Sequence, residues 1–130
     1  MTNREIFDLS LNLLAQDVDS TINLDFEERA PYLLALFCIE ACEVDNHLRR
    51  RMGMEEKECP QSLWIDLEGD FPMLDALVPA AAYYLSAMLI LDENDEQYDR
   101  FYERYSDAMS RLRCDLPCEL EPIGNAYFQS

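Results

Sequence analysis

The sequence predicts an all-α fold, a single-domain bundle of about four helices with an irregular loop between helices two and three. Three observations carry this. Apolar residues recur at i, i+3, i+4 and i+7 in separate segments. Three Gly and six Pro are too few for the tight turns of a sandwich or barrel. Hydrophobic residues make up 49% of the 130, enough for one packed core and too many for a disordered chain. Residues 1–120 are assigned to the helical domain and 121–130 to a C-terminal tail.

The first helix is expected over about residues 3–16. Thr2 and Glu5 stand at capping-box spacing, and Ile6, Leu9 and Leu13, broadened by Phe7, Leu11 and Leu14, form its apolar face. "DVDSTINLD" is a polar connector.

The second and longest helix is expected over about 26–51. Pro31 is tolerated in a first turn, so "FEERA" can form a separate short turn before it. Leu33, Phe37, Ala41, Val44 and Leu48 make a stripe, and Leu34, Leu36, Cys38 and Ile39 make the first half apolar nearly all round. Arg49, Arg50 and Arg51 followed by Gly53 read as a helix stop.

From Met54 to Asp75 the chain is broken by Pro60, Gly69 and Pro72, and "SLWIDLEGDF" has room for a short hairpin. Trp64, the only tryptophan, is expected to pin this loop to the core.

"VPAAAYYLSAMLILDEND" opens the third helix, expected over about 76–92. Sixteen uncharged residues, Ala76 to Leu91, are shorter than the ~20 that a membrane-spanning helix needs. The run therefore reads as a helix buried on most of its circumference. The fourth helix, over about 95–113, carries Tyr98, Phe101, Tyr102, Tyr105, Met109 and Leu112 on one face. Glu96/Arg100 and Asp107/Arg111 are spaced as i, i+4 ion pairs, and Pro117 and Pro122 are expected to end regular structure. "NAYFQS" resembles a protease recognition site, with Ala126 where such a site has Leu.

The charge is −17, from 27 acids against ten bases. Such a surface repels DNA, so no direct sequence-specific nucleic-acid binding is expected. "MTNREIFDLS" lacks the basic and apolar regions of a signal peptide; the expectation is a cytoplasmic protein with no membrane association. Cys38, Cys42, Cys59, Cys114 and Cys118, an odd number without a secretion signal, are expected to be reduced thiols.

Little catalytic chemistry is on offer. His47 is the only histidine and sits at the polar end of helix two. A di-iron bundle needs two Glu-x-x-His motifs, which a single histidine excludes. Cys38/Cys42 and Cys114/Cys118 are spaced four apart, unlike the tighter loop spacing of zinc sites. Asp92 to Glu103 has calcium-ligand spacing but Gln97 where the loop requires Gly. No phosphate-cradling glycine loop exists. An enzyme, a cofactor and a metal are not expected, and no catalytic residue is assigned.

"EIFDLSLNLL", "ERAPYLLALFCIEAC", "LWIDLEGDFPM", "VPAAAYYLSAMLILDEN" and "FYERYSDAM" together cover most of residues 4–109. In this order they resemble small helical head-tail connector, or neck, proteins of tailed phages and prophages of Gram-positive bacteria. The resemblance implies a non-enzymatic virion assembly component, made in the bacterial host cytoplasm and then incorporated into the virion. It implies a homo-oligomeric ring between portal and tail, with portal or tail components as partners. A ring contact is heterologous, so each subunit needs two different patches. The candidates are Trp64, Ile65 and Leu67 on the loop, and Tyr127 and Phe128 in the tail. The alternative, from charge, is an acidic DNA mimic or regulator that binds a basic site on a host protein.

Overall fold

The structure is a computed structural model; it describes residues 1–15 and 24–120, with side chains up to Arg113. Four helices form the fold among these residues: α1 (Asn3–Leu13), α2 (Leu24–Arg51), α3 (Val78–Ile90) and α4 (Asp95–Leu120). A 3-10 turn, Asp75–Leu77, leads into α3.

α1 starts as its sequence dictates. The Thr2 hydroxyl accepts from the Glu5 amide at 3.2 Å and the Glu5 carboxylate accepts from the Thr2 amide at 2.7 Å. The helix stops earlier than expected, because Ala15 turns to a φ of 60° just beyond the C-cap. Its buried face is also rotated. Asn3, Ile6, Phe7, Ser10 and Leu11 are inside, whereas Leu9 is 38% exposed. The small Ser10 lets α1 approach α3, where the buried Ser86 hydroxyl donates to the Ser10 carbonyl at 3.2 Å.

α2 is one continuous helix. Pro31 is its eighth residue and is buried, so "FEERA" is no separate turn. A proline has no N–H to offer the Glu27 carbonyl one turn back, and the helix continues through that single missing bond. The far end stops as expected: Gly53 has a φ of 75°, with Gly53 N–H donating to Arg50 at 3.1 Å and Met54 N–H to Arg49 at 2.8 Å.

α3 lies at the centre, packed against α4, α1 and α2. Ala80, Ala81, Leu85 and Ala87 are completely covered, which explains a helix with no charge anywhere along it. Among the described residues no helix is long and apolar enough to cross a membrane.

One side of the core centres on Phe37, with rings of Phe71, Tyr84 and Tyr105 at 6.5, 5.9 and 6.2 Å. The other gathers Phe7, Leu11, Phe26, Leu85 and Leu89.

α4 buries Tyr105 and Met109 and leaves Tyr102 39% exposed. It passes Pro117 and reaches Leu120, because a proline there removes one ladder bond without reversing the chain. The predicted Glu96/Arg100 and Asp107/Arg111 pairs do not close; these side chains are exposed, and solvent competes for them.

The loop between α2 and α3 contains no hairpin. Among the described residues its one ladder-type contact is an isolated antiparallel bridge from Thr2 to Asp70, so the loop pairs with the N-terminus instead of itself. The Asn3 and Arg4 amides, which have no helical partner in the first turn of α1, donate to Gly69 at 2.9 Å and Leu67 at 2.7 Å. The Phe71 amide donates to the Met1 carbonyl at 2.9 Å, and the Asn3 side-chain amide reaches the Asp66 carbonyl at 2.9 Å.

Candidate functional site

The polar half of α2 holds the loop from the other side. Cys42, Asp45, Asn46 and Arg49 fall on one stripe, spaced i, i+3, i+4 and i+7. Cys42 is joined by a disulfide to Cys59, 17 positions further along the chain. The Asn46 side chain pairs with both backbone groups of Lys57 at 2.8 Å. The buried Asp45 carboxylate accepts from Arg49 Nε at 2.8 Å and from the Leu74 amide at 2.9 Å.

The disulfide corrects the reduced-thiol expectation for Cys42 and Cys59. The loop carries Cys59 back to α2, with its Cα 5.6 Å from that of Cys42, a separation that a disulfide bridges. Cys38 remains a free, buried thiol, pushed up to about 12 by burial and secondarily by the Asp45 charge. The side chains of Cys114 and Cys118 lie outside the described ones.

Anchored from both sides, the loop presents an open groove of about 360 Å³ between itself, α2 and the start of α1. Leu24, Pro31, Trp64 and Leu67 form its apolar lining. Among the described residues Arg4, Glu27, Glu28, Asp66 and Glu68 supply its charge, one arginine against four carboxylates. That arginine is already engaged, bonding Glu68 at 2.7 Å and Glu27 at 3.2 Å. The Glu68 bond, followed by Glu27, raises the Arg4 pKa above its ordinary value, so it stays a cation. Glu28 has no ion-pair partner among the described residues. Asp66 uses one carboxylate oxygen to cap the Glu68 amide at 3.0 Å.

The three loop residues singled out from the sequence lie together but are not equivalent. Leu67 is 5% exposed and belongs to the core, touching the groove as its floor. Ile65 is half-buried against the Phe37 side of the core, and its amide donates to the Pro31 carbonyl at 3.3 Å. Trp64 is 49% exposed. It is therefore not the pin of the loop; Leu67, Phe71 and Met73 are. The Ser62 hydroxyl braces its backbone, donating to the Trp64 carbonyl at 2.8 Å. Tyr127 and Phe128 lie outside the described residues.

The acidic wall of the groove escaped the sequence reading. Glu27 and Glu28 on α2 meet Asp66 and Glu68 on the loop only once the chain is folded, so no local pattern announces it.

His47 is exposed, and its bonded neighbour is Arg50, whose Nη2 lies 2.6 Å from Nδ1. The calcium-like stretch is helical from Asp95, with Asn94 capping the Gln97 amide at 3.0 Å. No protein-family model, curated protein or solved structure matches the chain.

Proposed function

We propose that this chain is a non-enzymatic docking subunit of a tailed-phage or prophage particle, of the head-tail connector kind. The observation that supports this most is Trp64: a large aromatic held half in solvent, on a loop fastened at both sides. Large aromatics dominate binding energy at protein interfaces, and an anchor ordered before binding loses less entropy on docking. The five stretches that resemble connector proteins map onto α1, α2, the groove loop, α3 and α4 in order. In that role the chain forms a ring with its own copies and meets portal or tail components, the Trp64 groove serving one neighbour.

The test begins with the genes flanking the coding sequence, which should encode portal, capsid or tail proteins. Co-expression with those portal and tail proteins should yield a complex that Trp64→Ala weakens. Flanking genes of unrelated kind, or no co-purification, would sink the reading. A second reading draws support from the −17 charge: an acidic mimic or regulator seated on a basic site of a host protein. Displacement of DNA from a host DNA-binding protein would favour it.

A further inference from the structure

The groove beside Trp64 combines three properties that select a particular occupant. Its apolar wall, Trp64 with Pro31 and Leu24, offers an indole half open to solvent. Among the described residues its charge is net negative, and the only cation there, Arg4, is already held by Glu27 and Glu68. It is also rich in acceptors. Glu28 and one oxygen of Asp66 are unengaged by the described residues, and Pro31 withholds the N–H that the Glu27 carbonyl would otherwise receive.

We infer that this groove binds an arginine side chain, carried next to an apolar residue by a segment of a different protein. Arginine meets all three properties at once. Its planar guanidinium stacks on an indole, is weakly hydrated, and presents paired N–H donors to carboxylates. Its aliphatic stem and the neighbouring apolar residue cover Leu24, which is 62% exposed. Lysine, a compact and strongly hydrated point charge, matches the indole and the paired acceptors less well.

A second copy of this chain is a poor occupant. Of its ten cations, Arg4, Arg29, Arg49, Arg50, Arg51 and Lys57 already have partners. The remaining arginines on α4 are interleaved with Asp99, Glu103 and Asp107, and each copy brings a further −17. The inference rests on the docking-subunit reading and narrows it to the chemistry of one neighbour.

Trp64 is the sole tryptophan, so its fluorescence reports this groove alone. The probes are three capped peptides: Gly-Ser-Leu-Arg-Leu-Ser-Gly, the same peptide with citrulline for arginine, and the same with glutamate. The arginine peptide should shift Trp64 emission to the blue, saturably, and bind about tenfold more tightly than the citrulline peptide. The glutamate peptide should not bind. Glu28→Gln with Asp66→Asn should remove most of the preference for arginine, while circular dichroism stays unchanged. Raising salt from about 50 to 500 mM should weaken binding several-fold.

Equal affinity for the arginine and citrulline peptides overturns the inference, as does the absence of any saturable shift. If Trp64 emission instead follows the protein's own concentration, the occupant is a second copy. The docking-subunit reading then stands and the arginine inference falls. Loss of both the peptide response and co-purification with particle proteins removes both.

Discussion

The buried carboxylate of Asp45 accepts the backbone N–H of Leu74 at 2.9 Å, across 29 residues of chain. The same carboxylate holds Arg49 one turn along α2 at 2.8 Å, and Arg49 in turn reaches the Pro72 carbonyl at 3.4 Å. One charge pair thus ties the end of the long helix to the lead-in of α3. Loss of one member of a buried pair leaves the other uncompensated.

Asp45→Ala is therefore expected to cost about 3–5 kcal/mol in urea unfolding, since Arg49 is left buried without its partner. Asp45→Asn should cost less, because the amide oxygen still accepts from Leu74. Equal losses for the two variants would show that the Leu74 bond contributes nothing.

The Cys42–Cys59 disulfide links residues 17 positions apart in sequence. Cys59→Ser should lower stability by about 3 kcal/mol relative to the oxidised protein. Proteolysis without reductant, followed by mass spectrometry, should recover the peptides of Cys42 and Cys59 linked together. Recovery of both as separate thiol peptides would contradict the bond.

Trp64 and Leu67 are three residues apart and point to opposite fates. Trp64→Ala is expected to change unfolding free energy by less than about 1 kcal/mol, as at other exposed positions. Leu67→Ala removes a core side chain and should cost about 2–5 kcal/mol. A reversed order in chemical denaturation would place Trp64 in the core after all.

The Tyr84 and Tyr105 rings meet at 5.1 Å, and both hydroxyls hold their protons more tightly than usual. Burial is the main cause for each; the Glu40 charge adds for Tyr84 and the bond to Glu40 for Tyr105, and Tyr84 is pushed up to about 12. A tyrosine with a raised folded value stabilises the fold fully below the ordinary value of 10.0 and loses that contribution as pH climbs toward 12. Stability should fall across that window. Tyr105→Phe should be less stable at neutral pH by about 1 kcal/mol, for the lost Glu40 bond, and fall less steeply. Identical alkaline slopes would exclude Tyr105 as a contributor.

Local pattern alone was enough for the helices. Thr2 and Glu5 announced the start of α1, Gly53 the end of α2, and the uncharged residues of α3 their own burial, because each signal acts within one or two turns. Packing overrides that local pattern at two places. Pro31 is tolerated mid-helix, since α2 is held by packing along its whole length. Leu9 loses its place inside to Ser10, because a small residue brings α1 close to α3.

The sequence by itself determined an all-α chain with a third helix buried on most of its circumference and a strongly acidic composition, through periodicity and residue content that need no knowledge of what lies opposite. Only the tertiary structure decided the loop. Its path depends on Asn3 meeting Asp66 across 63 residues, Asp45 meeting Leu74 across 29, and Cys42 meeting Cys59 across 17. Such pairings leave no periodic trace, because the partners are fixed by where two helices carry them and not by their spacing along the chain. That is also why Trp64 could not be told from Leu67 beforehand: both are large and apolar, and only the fastened loop sends one inward and leaves the other at the groove.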